Sequence, residues 1–299
     1  MENKLSRIKI DFIVAGFPKS GTTSLASILS KQKHVCFPKK KEPCIFNVES
    51  PNLGNLDIFF SHREPSQLLA EASQRYSNRD RYPYTAKNIY QHNPDVKLIF
   101  IARHPLLRSL SHFKMLDRDK DLPIGIDKSF DDPGVFLNAI KNSLYFYQLE
   151  PYLDYIPKSQ IKILWFEHLA SDLENICDEL TIFLGIPIKK PSGNIHENAE
   201  SIKRRSSSIY RKLNSSAMYN IIKSFIPITL RNQYRDYIKY SPRKQSRYQL
   251  SEHFIKRFYE FIWHDINLFL DVAGAPESIR RYYLQCDVLN YLDYQKKSL

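Results

Sequence analysis

A glycine turn that carries a lysine stands near the N-terminus of this sequence. The segment 16–23 reads GFPKSGTT and directly follows an apolar run. Backbone N–H groups in such a turn, together with the start of a following helix, bind anions. Lys19 would stabilise charge that develops on a leaving oxygen while a bond breaks. The segment therefore predicts an anion site, and the alternative is an ordinary glycine turn without a ligand.

The position of the lysine separates this turn from the phosphate loop of nucleotide hydrolases. That loop reads GxxxxGK[ST], with the lysine directly after the second glycine. Thr22 occupies that place here, and Lys19 stands before Gly21. The pattern therefore predicts a shorter anion than a triphosphate, namely one phosphate that carries one leaving group.

A second cationic element follows another apolar run, VKLIFIA at 96–102. Arg103 comes directly after this run, where open α/β sheets bind their ligands. Its guanidinium can make bidentate hydrogen bonds to a phosphate, and Ser111 follows two helical turns later. Two anion-binding elements on two strands fit a ligand with two separated phosphates. The alternative is that Arg103 and Arg108 are surface cations.

Buried strands alternate with helices along the chain. Short, continuous apolar runs predict parallel strands at 10–16, 96–102 and 161–166. Apolar residues at helical spacing predict helices at 22–31, from about 105, and at 135–155, 175–184 and 250–273. This alternation predicts an α/β fold with a P-loop-like central parallel sheet flanked by helices, in a single domain whose C-terminal half is helical.

The chain is strongly basic, with a formal net charge of +12 over 299 residues. The segment 201–250 contains twelve Lys or Arg, six Tyr and one acid, Asp236. Such a segment is either a docking surface for an acidic acceptor or a solvated basic face. Its more apolar part, 217–227, also fits a lipid-linked acceptor and peripheral contact with a membrane. We predict no nucleic-acid partner, because no recognised module accompanies the charge.

Cysteine usage and apolar runs indicate a cytoplasmic chain with reduced thiols. The four cysteines form no CxxC pair, and no metal-binding spacing is present. The first residues, MENKLSRIKID, lack the apolar region of a secretory signal. No stretch approaches the roughly 20 apolar residues of a membrane span.

The two anion-binding elements resemble those of the sulfotransferase family. PKSGTT at 18–23 looks like the family's 5′-phosphosulfate loop, and KLIFIARHPLLRSLS at 97–111 looks like its 3′-phosphate element. The stretch 147–185 is also similar to the family's helix, strand, acidic residue and FLG. The resemblance implies 3′-phosphoadenosine 5′-phosphosulfate as the donor, without a metal. It implies that the donor's 5′ side is held by Lys19, Ser20, Gly21, Thr22 and Thr23, and its 3′-phosphate by Arg103 and Ser111.

The resemblance also implies a general base. Lys41-Glu42-Pro43 with Phe46 looks like the KEPxxF-type segment of the heparan and bacterial branch, in which the glutamate is the proposed base. We assign that role to Glu42, and the alternative candidates for the base are His62 and His104. The sequence departs from the family at Cys44 and His104, and the family's acidic segment before the second strand is not recognisable. RYPY at 81–84 stands near its place.

We therefore predict one sulfotransferase domain over 1–299, with a cofactor-binding core at about 8–190, a basic helical acceptor-side region at about 191–275 and a C-terminal tail at 276–299. The predicted reaction moves a sulfuryl group onto a hydroxyl or amine, with a glycan or glycolipid as a candidate acceptor. The alternatives are a P-loop-type kinase that uses ATP and a non-catalytic protein that binds nucleotides or polyanions. The sequence does not specify the oligomeric state.

Overall fold

The computed structural model describes residues 8–119, 126–191, 205–206, 240–241 and 250–285. The chain separates into two compact units, one formed by 1–193 with 250–299 and the other by 194–249. The predicted boundaries at 190 and 275 stay predictions. Within the second unit, the described residues form a two-residue antiparallel ladder of β6 (Arg205–Ser206) and β7 (Tyr240–Ser241).

The larger unit is built on a five-stranded parallel sheet with strand order β2-β3-β1-β4-β5. The strands are β1 (Phe12–Gly16), β2 (Val35–Cys36), β3 (Leu68–Ala72), β4 (Lys97–Ala102) and β5 (Ile161–Trp165). Every residue of β1 is buried, which explains its continuous apolar run, because both faces of the sheet are covered. The predicted α/β class and parallel sheet are confirmed.

Helices connect and cover these strands. They are α1 (Thr22–Leu29), α2 (Asn55–Phe59), α3 (Thr85–His92), α4 (Pro105–Asp119), α5 (Pro133–Val135), α6 (Tyr145–Leu153), α7 (Phe166–Ser171), α8 (Leu173–Leu184), α9 (Glu252–Val272) and α10 (Glu277–Leu284). The Phe17 ring, just after β1, stacks on Tyr145 of α6 with 4.4 Å between centroids and meets Phe269 of α9 edge-on. Helices α6 and α9 therefore pack where β1 ends.

The order of the strands creates a crevice at the carboxyl ends of β1 and β4. The chain leaves β1 through α1 toward β2, and it leaves β4 through α4 toward β5, on the other side of the sheet. These two connections diverge between neighbouring strands, which is where open α/β sheets bind ligands. Both predicted anion-binding elements begin at this point.

The helix predicted at 135–155 is not continuous. After α5 the backbone forms a π-helical turn at Phe136–Ile140 and a 3₁₀ turn at Lys141–Ser143 before α6 begins. Arg108 causes this irregularity, because its guanidinium donates to the Ala139 carbonyl and, at 2.7 Å, to Ser143 Oγ. The buried guanidinium thus uses the Ala139 carbonyl, which would accept from a backbone N–H in a regular helix.

The start of the predicted C-terminal tail is a packed helix. Residues Ile279 and Tyr283 of α10 are buried, and the Tyr283 hydroxyl donates to Glu167 Oε2 at 3.0 Å. The described part of the predicted tail thus belongs to the larger unit. Apart from β6 and β7, the basic segment 201–250 and its apolar part 217–227 lie outside the described residues before Leu250. None of the described helices has both the length and the apolar character to span a bilayer.

A carboxylate of α9 caps the start of α6. Asp265 Oδ1 accepts from Phe146 N at 3.1 Å, and Oδ2 accepts from Tyr147 N at 2.7 Å. Leu144, which precedes α6, offers no side-chain cap. This contact links residues more than one hundred positions apart and stabilises the helix that packs against Phe17.

Replacement of Asp265 by alanine is expected to lower the free energy of unfolding by about 1–3 kcal/mol, because two N–H groups lose a partly buried acceptor. Urea unfolding followed by circular dichroism measures this change as a lower midpoint with an unchanged slope. Glu260→Ala on the same helix removes only an exposed ion pair and should cost less than about 1 kcal/mol. Equal losses in the two variants would contradict the capping role.

Candidate functional site

The turn between β1 and α1 is fastened to the neighbouring strand. Phe17 N donates to Ile101 O of β4 at 3.0 Å, and Ser20 N donates to Phe17 O at 3.2 Å. Gly21 precedes α1 with φ +94°, and a Cβ atom there would lie 2.7 Å from the Phe166 ring. Gly21 carries no side chain to cap α1, which agrees with the prediction that the start of this helix binds an anion.

Left-handed backbone conformations occur at the two predicted catalytic residues and at Cys44. Among the described residues, the non-glycine positions with positive φ are Lys19 at +69°, Glu42 at +47° and Cys44 at +53°. Side chains rarely adopt this left-handed conformation, and it persists where the surroundings enforce it, often at active sites. The turns that carry Lys19 and Glu42 are therefore held in specific shapes by the rest of the fold.

Arg103 lies against the Lys19 turn. Its Nη1 donates to the Lys19 carbonyl at 3.4 Å, and its guanidinium lies over the Phe166 ring, 4.6 Å from the centroid. The Tyr145 hydroxyl donates to the Arg103 carbonyl at 2.6 Å and fixes the backbone. Arg103 Nε is buried and has no hydrogen-bond partner among the described residues, as expected for a group that binds an anion. The structure thus brings the two predicted anion elements together.

Arg108 is a buried cation rather than a surface one. Its side chain is fully buried, and its hydrogen-bond partners are the neutral groups of Ser109, His112, Ala139 and Ser143. Burial lowers the pKa of Arg108 to about 10. The pKa of His112 is also lowered, by burial and by the nearby positive charges of Arg108 and Lys19. The protein interior behind the Lys19 turn therefore carries positive charge. This charge favours the binding of an anion in front of the turn.

The remaining predicted donor-binding residues lie on the same two elements. Ser20 is fully buried beside the Tyr145 hydroxyl, Thr22 is buried, and Thr23 is half-buried in the first turn of α1. Ser111 is half-buried on α4. The structure places all of them after β1 or β4, and their binding roles stay predictions.

Glu42 lies at the same edge of the sheet. Gln74 Nε2 donates to Glu42 Oε1 at 3.4 Å, and Gln74 begins the 3₁₀ turn Gln74–Ser77 that follows β3. The same turn packs against the end of β1, because a Cβ atom on Gly16 would lie 2.4 Å from Ser77 Oγ. Glu42 therefore reaches the carboxyl edge on which the Lys19 turn stands.

A buried acid that was not predicted from the sequence also lies in this region, namely Glu71 of β3. Its side chain is fully buried, and burial raises its pKa to about 7. Ser73 Oγ and the Tyr76 hydroxyl donate to Glu71 Oε1 at 2.6 and 2.5 Å. The only local signal for it is a single acid inside the otherwise apolar run LLAEA, which precedes the segment 81–84.

The two alternative candidates for the general base, His104 and His62, lie in environments that differ from that of Glu42. His104 is fully buried, and burial together with the charge of Arg103 lowers its pKa to about 3, so its ring is neutral. Its Nε2 lies 3.3 Å from the Tyr259 hydroxyl. His62 is exposed, and its Nε2 lies 3.6 Å from Cys36 Sγ on the edge strand β2, two strands away from β1. These contacts favour Glu42 as the base.

The structure brings together no group of three or more His, Cys, Asp and Glu side chains suited to a metal ion within the ranges it describes. The predicted absence of a metal stays a prediction.

Comparisons with known proteins agree with this architecture. The family model "Sulfotransferase domain" matches residues 9–262. The chain is 25% identical to the membrane-associated sulfotransferase kil1 of Dictyostelium discoideum, over 59% of this chain and 56% of that protein. It is 24% identical to human heparan sulfate glucosamine 3-O-sulfotransferase 5, over 62% of this chain and 56% of that protein. The chain thus spans about half the length of these curated relatives.

A solved structure shares the fold. The sulfotransferase from Alicyclobacillus acidocaldarius superposes with a TM-score of 0.63 and 19% identity, over 92% of this chain and 99% of that chain. This likeness supports the P-loop-like sheet and its flanking helices. Since the family model covers most of the sequence, including both anion-binding elements, the chain belongs to the sulfotransferase family.

Proposed function

We propose that this chain transfers a sulfuryl group from 3′-phosphoadenosine 5′-phosphosulfate to a hydroxyl or amine of an acceptor. The observation that carries the proposal is the contact between the Lys19 turn and Arg103 at the crevice between β1 and β4. Two anion-binding elements that meet at one crevice suit a nucleotide with phosphate groups on both sides of its ribose.

The residues present fit such a donor. The start of α1 and the residues Lys19, Ser20, Gly21, Thr22 and Thr23 would hold the 5′ side. Arg103, whose buried Nε lacks a partner among the described residues, would hold the 3′-phosphate together with Ser111. The donor supplies the sulfuryl group, and the protein supplies position and charge stabilisation.

In the proposed reaction, Glu42 accepts the proton from the acceptor hydroxyl or amine. A bond forms between that oxygen or nitrogen and sulfur, and the bond between sulfur and the bridging oxygen breaks. Adenosine 3′,5′-bisphosphate leaves, and Lys19 together with the N–H groups of the turn stabilises the negative charge on its 5′ side. The exposed side chains of Lys39, Lys40 and Lys41 directly precede Glu42.

We propose an acidic glycan as the acceptor class. Three exposed lysines beside the proposed base and a net charge of +12 favour an anionic acceptor. A relative with 24% identity is named as a heparan sulfate enzyme, which supports the same class. A glycolipid acceptor with peripheral membrane contact is the second candidate, because another relative is named as membrane-associated. A cytoplasmic location also remains a proposal.

The proposal is tested by incubating the chain with radiolabelled donor and a panel of acceptors. The panel contains partly sulfated and desulfated glycosaminoglycans, glycolipids in vesicles, phenols and peptides, each with a chelator present. We expect label to transfer to anionic glycans without added metal. Phosphate transfer from ATP that requires magnesium would instead identify a kinase. Binding of donor without transfer to any acceptor would favour a non-catalytic nucleotide-binding protein.

A further inference from the structure

A buried acid supports the turn that carries Glu42. Ser73 and Tyr76 each donate a hydroxyl hydrogen to Glu71 Oε1. The same two hydroxyl oxygens accept from the backbone of the turn: Ser73 Oγ accepts from Cys44 N at 3.2 Å, and the Tyr76 oxygen accepts from Phe46 N at 3.4 Å. Two relays thus connect the carboxyl group to the residues that follow Glu42.

The direction of these hydrogen bonds depends on Glu71. A hydroxyl has one hydrogen to donate, and its lone pairs then accept from other donors. Because both hydroxyl hydrogens point to Glu71, both oxygens are presented to the N–H groups of the turn. A residue without an acceptor at position 71 would leave these hydroxyls free to rotate.

The turn needs such support. Glu42 and Cys44 both have positive φ, and a non-glycine residue holds that conformation where its surroundings enforce it. Gln74, which follows the same strand, donates directly to the Glu42 carboxylate. The end of β3 thus contacts the turn at its backbone and at its reacting side chain.

We propose that Glu71 is a positioning residue for Glu42, acting through Ser73 and Tyr76 on the turn 42–46. This inference rests on the proposed role of Glu42 as the base. Glu71 does not contact the reacting groups in this account. It fixes the backbone from which the Glu42 side chain extends.

Cys44 provides a probe inside the turn itself. Its side chain is partly buried, and burial raises the pKa of its thiol, so a firmly held turn should react slowly with thiol reagents. Every variant carries alanine in place of the other three cysteines, Cys36, Cys177 and Cys286. The measured thiol reactivity then comes from Cys44 alone. A neutral disulfide reagent then measures the opening of the turn.

The informative substitution is Glu71→Met, which keeps a side chain of similar volume in the core and removes the acceptor. We expect Cys44 to react roughly tenfold faster, because the turn loses two indirect anchors. The kcat for transfer to the best acceptor of the panel should fall roughly tenfold. The acceptor KM and the affinity for adenosine 3′,5′-bisphosphate should stay within about twofold, since the Lys19 turn and Arg103 are not touched.

Two further variants separate positioning from general loss of structure. Glu71→Gln keeps an oxygen that accepts from both hydroxyls, and it should restore both readouts most of the way to wild type. Tyr76→Phe removes one relay and should give a smaller change in the same direction, which also serves if Glu71→Met fails to fold. Glu64→Gln changes an exposed acid just before β3 and should behave as wild type.

Unchanged Cys44 reactivity in both Glu71→Met and Tyr76→Phe would overturn the proposal. A parallel loss of nucleotide affinity would also overturn it, because the effect would then be global. The thiol and nucleotide measurements do not require sulfuryl transfer. Cys44 reactivity could change as expected while the wild type transfers no sulfuryl group. Glu71 would then support the turn, but Glu42 would not be a base. The proposed function would have failed independently of the positioning role of Glu71.

Discussion

Replacement of Glu42 by glutamine is expected to lower the rate of sulfuryl transfer by about 10²- to 10⁴-fold, the usual contribution of a positioned general base. The amide keeps the shape of the side chain and can still accept from Gln74, which donates to Glu42 Oε1 at 3.4 Å in the native chain. It cannot take up the acceptor proton. The loss should therefore appear in kcat, measured with saturating labelled donor and acceptor.

Glu49→Gln is the matched control, because Glu49 is an exposed acid seven residues further along the chain. It should keep the wild-type rate. The nucleotide affinity of Glu42→Gln should also be unchanged, since the proposed role of Glu42 is toward the acceptor and not toward the nucleotide. If Glu42→Gln transfers sulfuryl groups as fast as Glu49→Gln, another group is the base, and exposed His62 becomes the first candidate.

Replacement of Lys19 by methionine is expected to lower kcat by about 10²- to 10³-fold, the effect of removing one group that stabilises developing charge. Methionine retains a long side chain at the same strained backbone position, so the change isolates the charge. The negative charge on the leaving nucleotide grows as the bond to sulfur breaks. Lys19 should therefore matter more in the transition state than in the bound ground state.

Single-turnover and binding measurements separate these two states. We expect the affinity of the Lys19→Met variant for the donor to fall by less than its transfer rate. Lys31→Met, on an exposed lysine after α1, should leave both quantities unchanged. A loss that appears entirely in donor affinity would show that Lys19 binds the donor without assisting bond breaking.

The central strands and the elements that follow them could be predicted from the sequence. Strands β1 and β4 are buried on both faces, so their apolar runs are continuous and easy to recognise. Parallel strands present their carboxyl ends at one edge, so the turn after β1 and Arg103 after β4 had to lie on the same side. The positions of these residues in the sequence therefore suffice to predict that they meet, without any side-chain geometry.

The support around Glu42 could not be predicted, because it comes from packing between distant segments. Ser73 and Tyr76 donate to Glu71 and accept from the backbone of residues 44 and 46, and no local pattern specifies these contacts. A lone acid in a strand also looks like an edge or surface position when burial is unknown.

Arg108 likewise shows that a helix cannot be predicted correctly from local sequence when a distant residue hydrogen-bonds to its backbone. The apolar spacing at 135–155 predicted one continuous helix, and the hydrogen bonds from Arg108 to Ala139 and Ser143 interrupt it. Arg108 stands 31 residues before Ala139, and nothing in the local sequence indicates that its side chain is fully buried. Tertiary hydrogen bonds here override local periodicity.

The proposed function depends most on the Lys19 turn and Arg103 holding two ends of one nucleotide. Calorimetric titration with adenosine 3′,5′-bisphosphate and with adenosine 5′-monophosphate tests this claim without any acceptor. We expect the bisphosphate to bind roughly 100-fold more tightly, because charged hydrogen bonds to the 3′-phosphate are lost in the monophosphate. Arg103→Ala should abolish that preference, and Arg81→Ala, at an exposed arginine, should retain it. Equal affinity of the wild type for the two nucleotides, or a preference that survives in Arg103→Ala, would contradict the account.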